Sequence, residues 1–505
     1  MKVAKVLAGS GSQAAVNRSL TESCLERLSN RTAASLAWLG RAIDSSAIIG
    51  AVSSLQPRVS DWVRESLAAR FFSRFFEFFI VPAGQGITEG TLLGIVLALG
   101  AFVPTEIQML GLFALVSGLA WMKSKARSLG QSWCRLAPSR IPLQLILPFV
   151  LLFMFLTGAT ISSVVPARSL KNLALWCCGG LAFFLAYHMT SRGNEDGVVW
   201  PFLAGTSLSS LVGIYQHFSG WQPPRSWLDE KFEEEIVRVV GTFQNPNYFA
   251  EMLGLALPVT LALLIRQKSL RDRAVLVVFA IVQGLSLVYT WSRGSWLGFI
   301  ASFGIMAILL DKRLLVLGLV VSLVGVTLAP PVLVQRLLSS FSVDDSSNSY
   351  RISIWRGSIS ILRKYIFRGV GLGAEAFSEM YPEHMIIQTP ALHSHSVYFQ
   401  MLIELGLLGF LTLLWFLGAN VWYSLRVVFR AQGGVWEKWT KTGVLAGCLA
   451  AVAGNMLHGV IEHTWYNPQV MMIVWAWLGV ASGVATKESL IKRAPAVLAS
   501  KRRGE

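Results

Sequence analysis

Charge is what this chain has least of. Asp, Glu, Lys and Arg make up 14% of its 505 residues against 53% apolar ones, and the mean hydropathy is +0.54. Soluble globular domains carry about 25% charged residues, so the composition excludes an ordinary soluble enzyme and points to a polytopic membrane protein. Acidic residues are the scarcer sign, 28 against 44 basic, giving a net charge of +16. That balance could suit nucleic acid, but the basic residues lie between apolar runs rather than on one soluble module, so no nucleic-acid partner is expected. Cysteine is nearly missing too. Cys24 and Cys134 fall on connecting segments and Cys177, Cys178 and Cys448 inside apolar runs, which argues against a disulfide framework and fits no zinc-ligand spacing. No ten-residue alternation of a membrane β-barrel is visible, and residues 1–88 lack the apolar core of a cleavable signal peptide.

Apolar runs are plentiful. They lie near 90–104, 107–122, 141–160, 172–189, 198–217, 243–265, 274–290, 295–310, 314–333, 396–420, 442–460 and 469–485, and at roughly 20 residues per crossing they predict about twelve transmembrane helices. Helices are required because backbone polar groups in lipid must be satisfied within the segment. The expected architecture is an all-α integral membrane domain over 89–485, preceded by a cytoplasmic amphipathic or flexible region (1–88) and followed by a basic cytoplasmic tail (486–505). If the first span runs outward, Lys123, Lys125, Arg127, Arg135 and Arg140 fall inside, as do Arg266, Lys268, Arg271, Arg273, Lys312 and Arg313. So do Arg426, Arg430, Lys438, Lys441 and the tail from Lys487 onwards. This positive-inside pattern puts both termini in the cytoplasm of a multi-pass plasma (inner) membrane protein, with the long connection 334–395 outside.

The N-terminal Phe71, Phe72, Phe75, Phe76, Phe78 and Phe79 form a run too short to cross, which either lies in the interface or packs on neighbouring helices. Residues 33–54 read equally as an interfacial helix or a flexible segment. The exterior connections carry the candidate chemistry. After Pro223-Pro224, the acidic cluster Asp229, Glu230, Glu233, Glu234 and Glu235 reads as a solvated face. Gly241-Thr242-Phe243-Gln244-Asn245-Pro246-Asn247 is a turn-forming cluster at the head of a span, with Asn247 a candidate helix cap. In the tight turn Trp291-Ser292-Arg293-Gly294-Ser295-Trp296 the arginine runs against the charge bias, and either snorkels to phospholipid headgroups or clamps an anion.

Within the long connection, Ile352, Trp355, Ile359, Leu362 and Ile366 have the spacing of an amphipathic helix, capped by the run Ser346-Ser347-Asn348-Ser349. Arg351 projects near that stripe towards the protein, and Lys364 towards water. In the first helical turn, Arg351 would join unsatisfied backbone N–H groups to make a phosphate site. Gly369, Gly371 and Gly373 form a flexible or tightly turned connection without the strand context of a nucleotide loop. The connection ends in His393-Ser394-His395-Ser396, where the next apolar run begins. Glu404 lies deep in that run, where a structural carboxyl between helices is the preferred reading over a functional one. His458 and Glu462, at i and i+4 with His463 beside them, could hold a metal, but no second cluster supports one.

Four of these patterns together resemble the O-antigen ligase family of polytopic membrane glycosyltransferases, which includes O-antigen polymerase-like members. They are Gly241-Thr242-Phe243 with Asn245-Pro246-Asn247; Ser292-Arg293-Gly294; Arg351 with Ile354-Trp355 and Gly369-Val370-Gly371-Leu372-Gly373; and His393-Ser394-His395-Ser396 running into Glu404-Leu405-Gly406-Leu407-Leu408-Gly409. The resemblance spans about 241–409. It implies a GT-C-like fold surrounded by membrane lipids. It further implies that a glycan passes, with no metal or other cofactor, from an undecaprenyl-diphosphate carrier to a glycan, lipid or protein acceptor at the exterior face. Arg293 and Arg351 match the arginines that bind the diphosphate, and His395 matches the histidine of the family's His-Asn pair, here His395-Ser396. Asn247 and His393 are further substrate-binding candidates. On that footing His395 would take the proton from an acceptor hydroxyl, for which an imidazole of ordinary pKa near ~6.5 is suited. The guanidinium groups would hold phosphate oxygens in bidentate fashion. The alternative is a small-anion, bicarbonate-type transporter, which needs midplane polar groups and related halves; Glu404 is the one deep carboxylate in view.

Overall fold

The structure, a computed structural model, describes residues 78–128, 141–222, 237–338, 346–386, 389–431 and 433–501. The chain divides into two compact units, 1–75 with 113–137 and 76–112 with 138–505. The first is described over 113–128, which is helical; all that follows concerns the second. The phenylalanines up to Phe76, residues 33–54, the acidic cluster at 229–235 and Cys24 and Cys134 lie outside the described residues.

The described residues contain helices and connections but no strand. In chain order they are α1 (Glu89–Leu99), α2 (Thr105–Ser128), α3 (Leu143–Ile161), α4 (Pro166–Thr190), α5 (Glu195–Phe218), α6 (Pro246–Arg266), α7 (Leu270–Tyr289) and α8 (Arg293–Leu310). Then come α9 (Arg313–Leu328), α10 (Pro331–Leu338), α11 (Ser346–Tyr365), α12 (Ala374–Met380), α13 (Val397–Arg430), α14 (Val435–His458) and α15 (Pro468–Lys501). Each of the apolar runs read from the sequence falls on a helix, and among the described residues 8 of the helices are long and apolar enough to cross a membrane, against the expectation of about twelve. The shortfall has local causes. α1 ends on its cap Gly100, and α9 ends before Pro330-Pro331, where proline stops a helix near the preceding residue; both helices are short apolar ones, as is the apolar part of α2, Thr105–Leu119. α14 has the length, but Glu437, Lys438 and Lys441 occupy its first two turns.

Small residues set how closely the helices meet, as expected where lipid offers no hydrophobic drive for association. Gly479 and Gly483, one turn apart on α15, face α4, where added side chains would collide with the Phe183 carbonyl and the Thr190 hydroxyl. Gly298 of α8 and Gly454 of α14 meet in the same way: a Cβ at Gly454 would collide with Ser302 Oγ and the Gly298 carbonyl. This second crossing places the head of α8 beside the end of α14. At the far end of α6, Arg266 pairs with Glu195 and Asp196 of α5, and Lys487 of α15 joins Glu195 at 2.6 Å.

The connection between α10 and α13 folds back on the head of α13. Its core is Ile354, Ile361, Leu362, Val370, Ala376, Phe377 and Tyr381 packed on Ile403. The amphipathic helix exists as α11, but its buried stripe is Ile354, Gly357, Ser358, Ile361 and Leu362, one position round from the expected one, and Ile359 is 41% exposed. The reason is close approach: a Cβ at Gly357 would lie 2.8 Å from the Tyr381 ring and 3.0 Å from the His384 carbonyl. Lys364 faces solvent as the sequence indicates. The run Ser346-Ser347-Asn348-Ser349 forms the first turn of α11 instead of its cap.

α13 is interrupted at Gly406 (φ 68, ψ 177), a left-handed conformation that favours glycine. The break leaves the Ile403 and Glu404 carbonyls to accept from the Val370 and Gly371 N–H groups (2.9 and 3.3 Å), and the Leu407 N–H to donate to the Ile366 carbonyl. The three glycines at 369, 371 and 373 all have positive φ, so their spacing serves this docking. Glu404, buried, accepts from the Gly373 N–H and from Gln400 Nε2, each at 2.8 Å, and Gln400 Oε1 accepts from the Ser394 N–H. This is the structural carboxyl: it ties both ends of the loop to α13 just before His395.

Candidate functional site

Four arginines from separate parts of the sequence line one open cleft of about 590 Å³. Arg238 comes from the connection that precedes α6 and Asn247 from the head of α6, Trp291, Ser292, Arg293 and Gly294 from the head of α8, Arg336 from α10, and Asn348 and Arg351 from α11. His458, Ile461 and Glu462, at the end of α14, close it. Each contributor is fixed locally. Gly241, at φ 56, lies where a Cβ would come within 2.8 Å of the Phe249 ring, and Gln216 brackets it by accepting from the Val240 and Gly241 N–H groups and donating to the Gly241 carbonyl. The cap of α6 is Asn245, whose side chain accepts from the Asn247 N–H, so Asn247 is not the cap expected from the sequence. Its own Oδ1 accepts from Arg238 Nη2 at 2.9 Å, while Arg238 Nε donates to the Thr290 carbonyl at 3.0 Å. Trp296 Nε1 donates to the Leu287 carbonyl and locks the turn that starts α8 on Arg293. Gly294 must be glycine because His458 lies against it.

Arg351 lies in the second turn of α11, past the N–H groups that would have made a helix-terminus anion site. Its Nη2 instead donates to Glu462 Oε2 at 3.0 Å. The other oxygen, Glu462 Oε1, meets His395 Nδ1 at 2.9 Å and accepts from the His463 N–H at 3.1 Å. One buried carboxylate thus joins the arginine cleft to the histidine at the end of the long loop. Burial alone would raise the Glu462 carboxyl; the charge and hydrogen bond of His395, with the Arg351 guanidinium, outweigh it and hold the group well below the usual carboxylate range.

His395 has φ 50, and the only other non-glycine residue with positive φ among those described is Trp291 (φ 55). Both sit at this site, where a left-handed conformation has to be held by its surroundings. The hold on His395 is visible. Its N–H donates to His393 Nδ1 at 3.3 Å, the two rings are 4.2 Å apart, and Tyr350 meets the imidazole edge-on at 5.6 Å. Ser396, which follows, caps α13 by accepting from the Phe399 N–H at 3.4 Å. Burial, then the neighbouring His395, push the His393 imidazole down to about 3; burial and His393 likewise push His463 well below its ordinary range. Both are neutral rings that support His395.

Of the site residues read from the sequence, Asn247, Arg293 and Arg351 line the cleft, while His393 and His395 stand behind Glu462. Arg238, Arg336 and the role of Glu462 were not foreseen. The arginines carried a signal, since like Arg293 they stand on connections assigned to the exterior, against the charge bias. Among the described residues one group has metal-ligand composition and spacing: His393, His395 and Glu462, with ligand atoms within 4.8 Å of one another. It is not the His458, Glu462 and His463 grouping suggested by sequence spacing, and Arg351 occupies the same carboxylate.

Residues 276–414 match the family model described as O-Antigen ligase. No curated protein matches the chain significantly. The matched segment contains Arg293, Arg336, Arg351, His393 and His395 and bears out the resemblance carried by the motifs; Arg238, Asn247 and Glu462 lie outside it.

Proposed function

We propose that this chain is a membrane glycosyltransferase of the O-antigen ligase or polymerase type. In this reading it moves a glycan from an undecaprenyl-diphosphate carrier to a glycan, lipid or protein acceptor at the exterior face of the plasma membrane. The observation that carries the reading is the Arg351–Glu462–His395 contact, which links an anion-binding cleft to an oriented imidazole. With its Nδ1–H given to Glu462, His395 keeps Nε2 to accept a proton, the arrangement of a base held by a carboxylate. The acceptor oxygen, losing its proton to Nε2, attacks the anomeric carbon; the bond from that carbon to the phosphate oxygen breaks, and the electron pair stays on the diphosphate. Arg293 and Arg351 hold that diphosphate, since guanidinium groups remain charged in a partly dry site and match phosphate oxygens in pairs. Glu462 positions the base through His395 Nδ1.

The test is transfer from lipid-linked donor by purified protein in liposomes. His395→Ala should lose roughly 10³-fold in rate, within the range general-base removal costs, while donor binding persists. A variant that still transfers would sink the mechanism, and retained donor binding in an Arg293→Ala, Arg351→Ala double variant would exclude the clamp. The matched family lends the transport alternative no support; anion flux without any lipid-linked sugar would be needed to revive it.

A further inference from the structure

The imidazoles behind Glu462 are placed for a second kind of chemistry. We propose that His393, His395 and Glu462 bind a divalent transition-metal ion of the zinc type, and that the bound ion turns transfer off. The binding stands on these residues alone; the effect on transfer rests on the transferase reading above.

One ligand atom from each of the three residues lies within 4.8 Å of the others. With bonds of ~2.0–2.1 Å, two nitrogen or oxygen ligands of a tetrahedral zinc ion stand about 3.3 Å apart. His395 Nδ1 and Glu462 Oε1, at 2.9 Å, are already close to that separation. The His393 ring is 4.2 Å from that of His395 and both residues are half-buried, so a small turn of the His393 side chain completes the set. Two imidazoles and one carboxylate make the borderline nitrogen and oxygen set that suits zinc, whereas magnesium and calcium take oxygen ligands. His393 is a neutral ring and Glu462 an ionised carboxylate, the forms that metal binding requires. Arg351 holds the other carboxylate oxygen, Oε2, and leaves Oε1 to the ion.

His463 gives independent support. It is 4% exposed, its ring lies 5.5 Å from that of His393, and its Nδ1 has no hydrogen-bond partner among the described residues. A zinc ion with three protein ligands keeps a water in the fourth position, and that water would supply the partner Nδ1 lacks.

The ion acts on transfer through the tautomer of His395. In the transferase reading the ring gives Nδ1–H to Glu462 and keeps a lone pair on Nε2. A metal on Nδ1 takes the lone pair there, and the one ring proton moves to Nε2. No proton is gained or lost, yet Nε2 becomes a donor and the acceptor hydroxyl is left without a base. Because Arg351 keeps its contact with Oε2, the cleft stays as it was.

The experiment titrates zinc chloride by calorimetry into the purified full chain, freed of metal by a chelator, with magnesium chloride as the control. Transfer kinetics and mapping of histidine modification by diethyl pyrocarbonate accompany it. Zinc should bind one ion per chain, at least about a hundredfold more tightly than magnesium. His393→Gln, which loses a ligand, should weaken zinc by more than about tenfold, and His463→Phe, which loses the partner of the water, by about tenfold. Saturating zinc should lower kcat more than about tenfold with donor KM within about twofold, and a chelator should restore it. It should also shield His395 from diethyl pyrocarbonate, a measurement on the unaltered protein that depends on no variant folding. Zinc affinity untouched by both substitutions, His395 modified as fast with zinc as without it, or kcat unchanged at saturating zinc would overturn the inference and leave the transferase reading standing. Zinc that binds and shields His395 in a chain that never transfers glycan would overturn that reading and leave the metal site.

Discussion

The two sides of Glu462 are built for opposite electrical ends. On one side, guanidinium groups from the connection before α6 and from α8, α10 and α11 are brought together round an open cleft where, among the described lining residues, Glu462 is the one carboxylate. On the other, His393 and His463 are packed against each other and Tyr466, with His395 beside His393, and held neutral by burial. Arginine tolerates partial desolvation with its charge intact, whereas imidazole gives its proton up. Burial therefore leaves a permanently charged lining on one side and neutral rings on the other. Glu462 bonds to both, to Arg351 through one carboxylate oxygen and to His395 through the other.

Glu462→Gln tests that division most severely. It removes the charge shared by Arg351 and His395, and transfer should fall by roughly 10² to 10³-fold, as when an orienting carboxylate of a base is neutralised. Transfer within threefold of the unaltered protein would mean that the two sides work independently. Arg351→Lys keeps the charge but loses the planar fork, and should cost about tenfold in kcat/KM, measured with lipid-linked donor; an unaffected variant would reduce the cleft to a plain positive field. His393→Gln probes the neutral side. Because the folded His393 binds its proton only near about 3, well below the ordinary ~6.5, the unfolded chain takes up more protons between those values. The protein should lose stability as pH falls from about 6.5, by at most ~1.4 kcal/mol per pH unit from this one group. Thermal unfolding of His393→Gln should therefore show a shallower acid slope, and an unchanged slope would place the titration elsewhere. The smallest effect belongs to Ser396. Since it serves as the cap of α13, Ser396→Asn should leave stability and transfer nearly unchanged, while Ser396→Ala should cost ~1 kcal/mol in denaturant titration.

What the sequence disclosed and what it hid follow from the same physics. Arg293, Arg351 and His395 stand out in the sequence because they are polar groups at the mouths of apolar runs, and all three lie within the segment that matches the family model. Glu462 was visible as an ionisable residue, but its partner His395 is 67 positions away, and a spacing argument sees only its neighbours His458 and His463. The stripe of α11 was misplaced by one position because hydropathy gives no weight to Gly357 and Ser358, whose small size is what lets Tyr381 approach. Asn245 and Asn247 are equally good caps by type; only the backbone geometry assigns one to the helix and the other to Arg238. Helix length is hidden for a related reason: apolar runs measure composition, whereas breaks such as Pro330 after α9 set length, and among the described residues 8 helices are long and apolar enough to cross.

The separation of His395 from Glu462 also bears on how the protein is made. Arg293, Arg351 and His395 all precede α14, and Glu462 follows it. A nascent chain would have threaded every arginine of the cleft and the histidine into the bilayer while the carboxylate that aligns them was still to be translated. Synthesis would then pass through a long stage in which Arg351 and His395 are in place without the carboxylate that bonds to both. A chain stopped just short of α14 would still contain the whole family-matched segment, 276–414, without the residue on which both halves of the site converge.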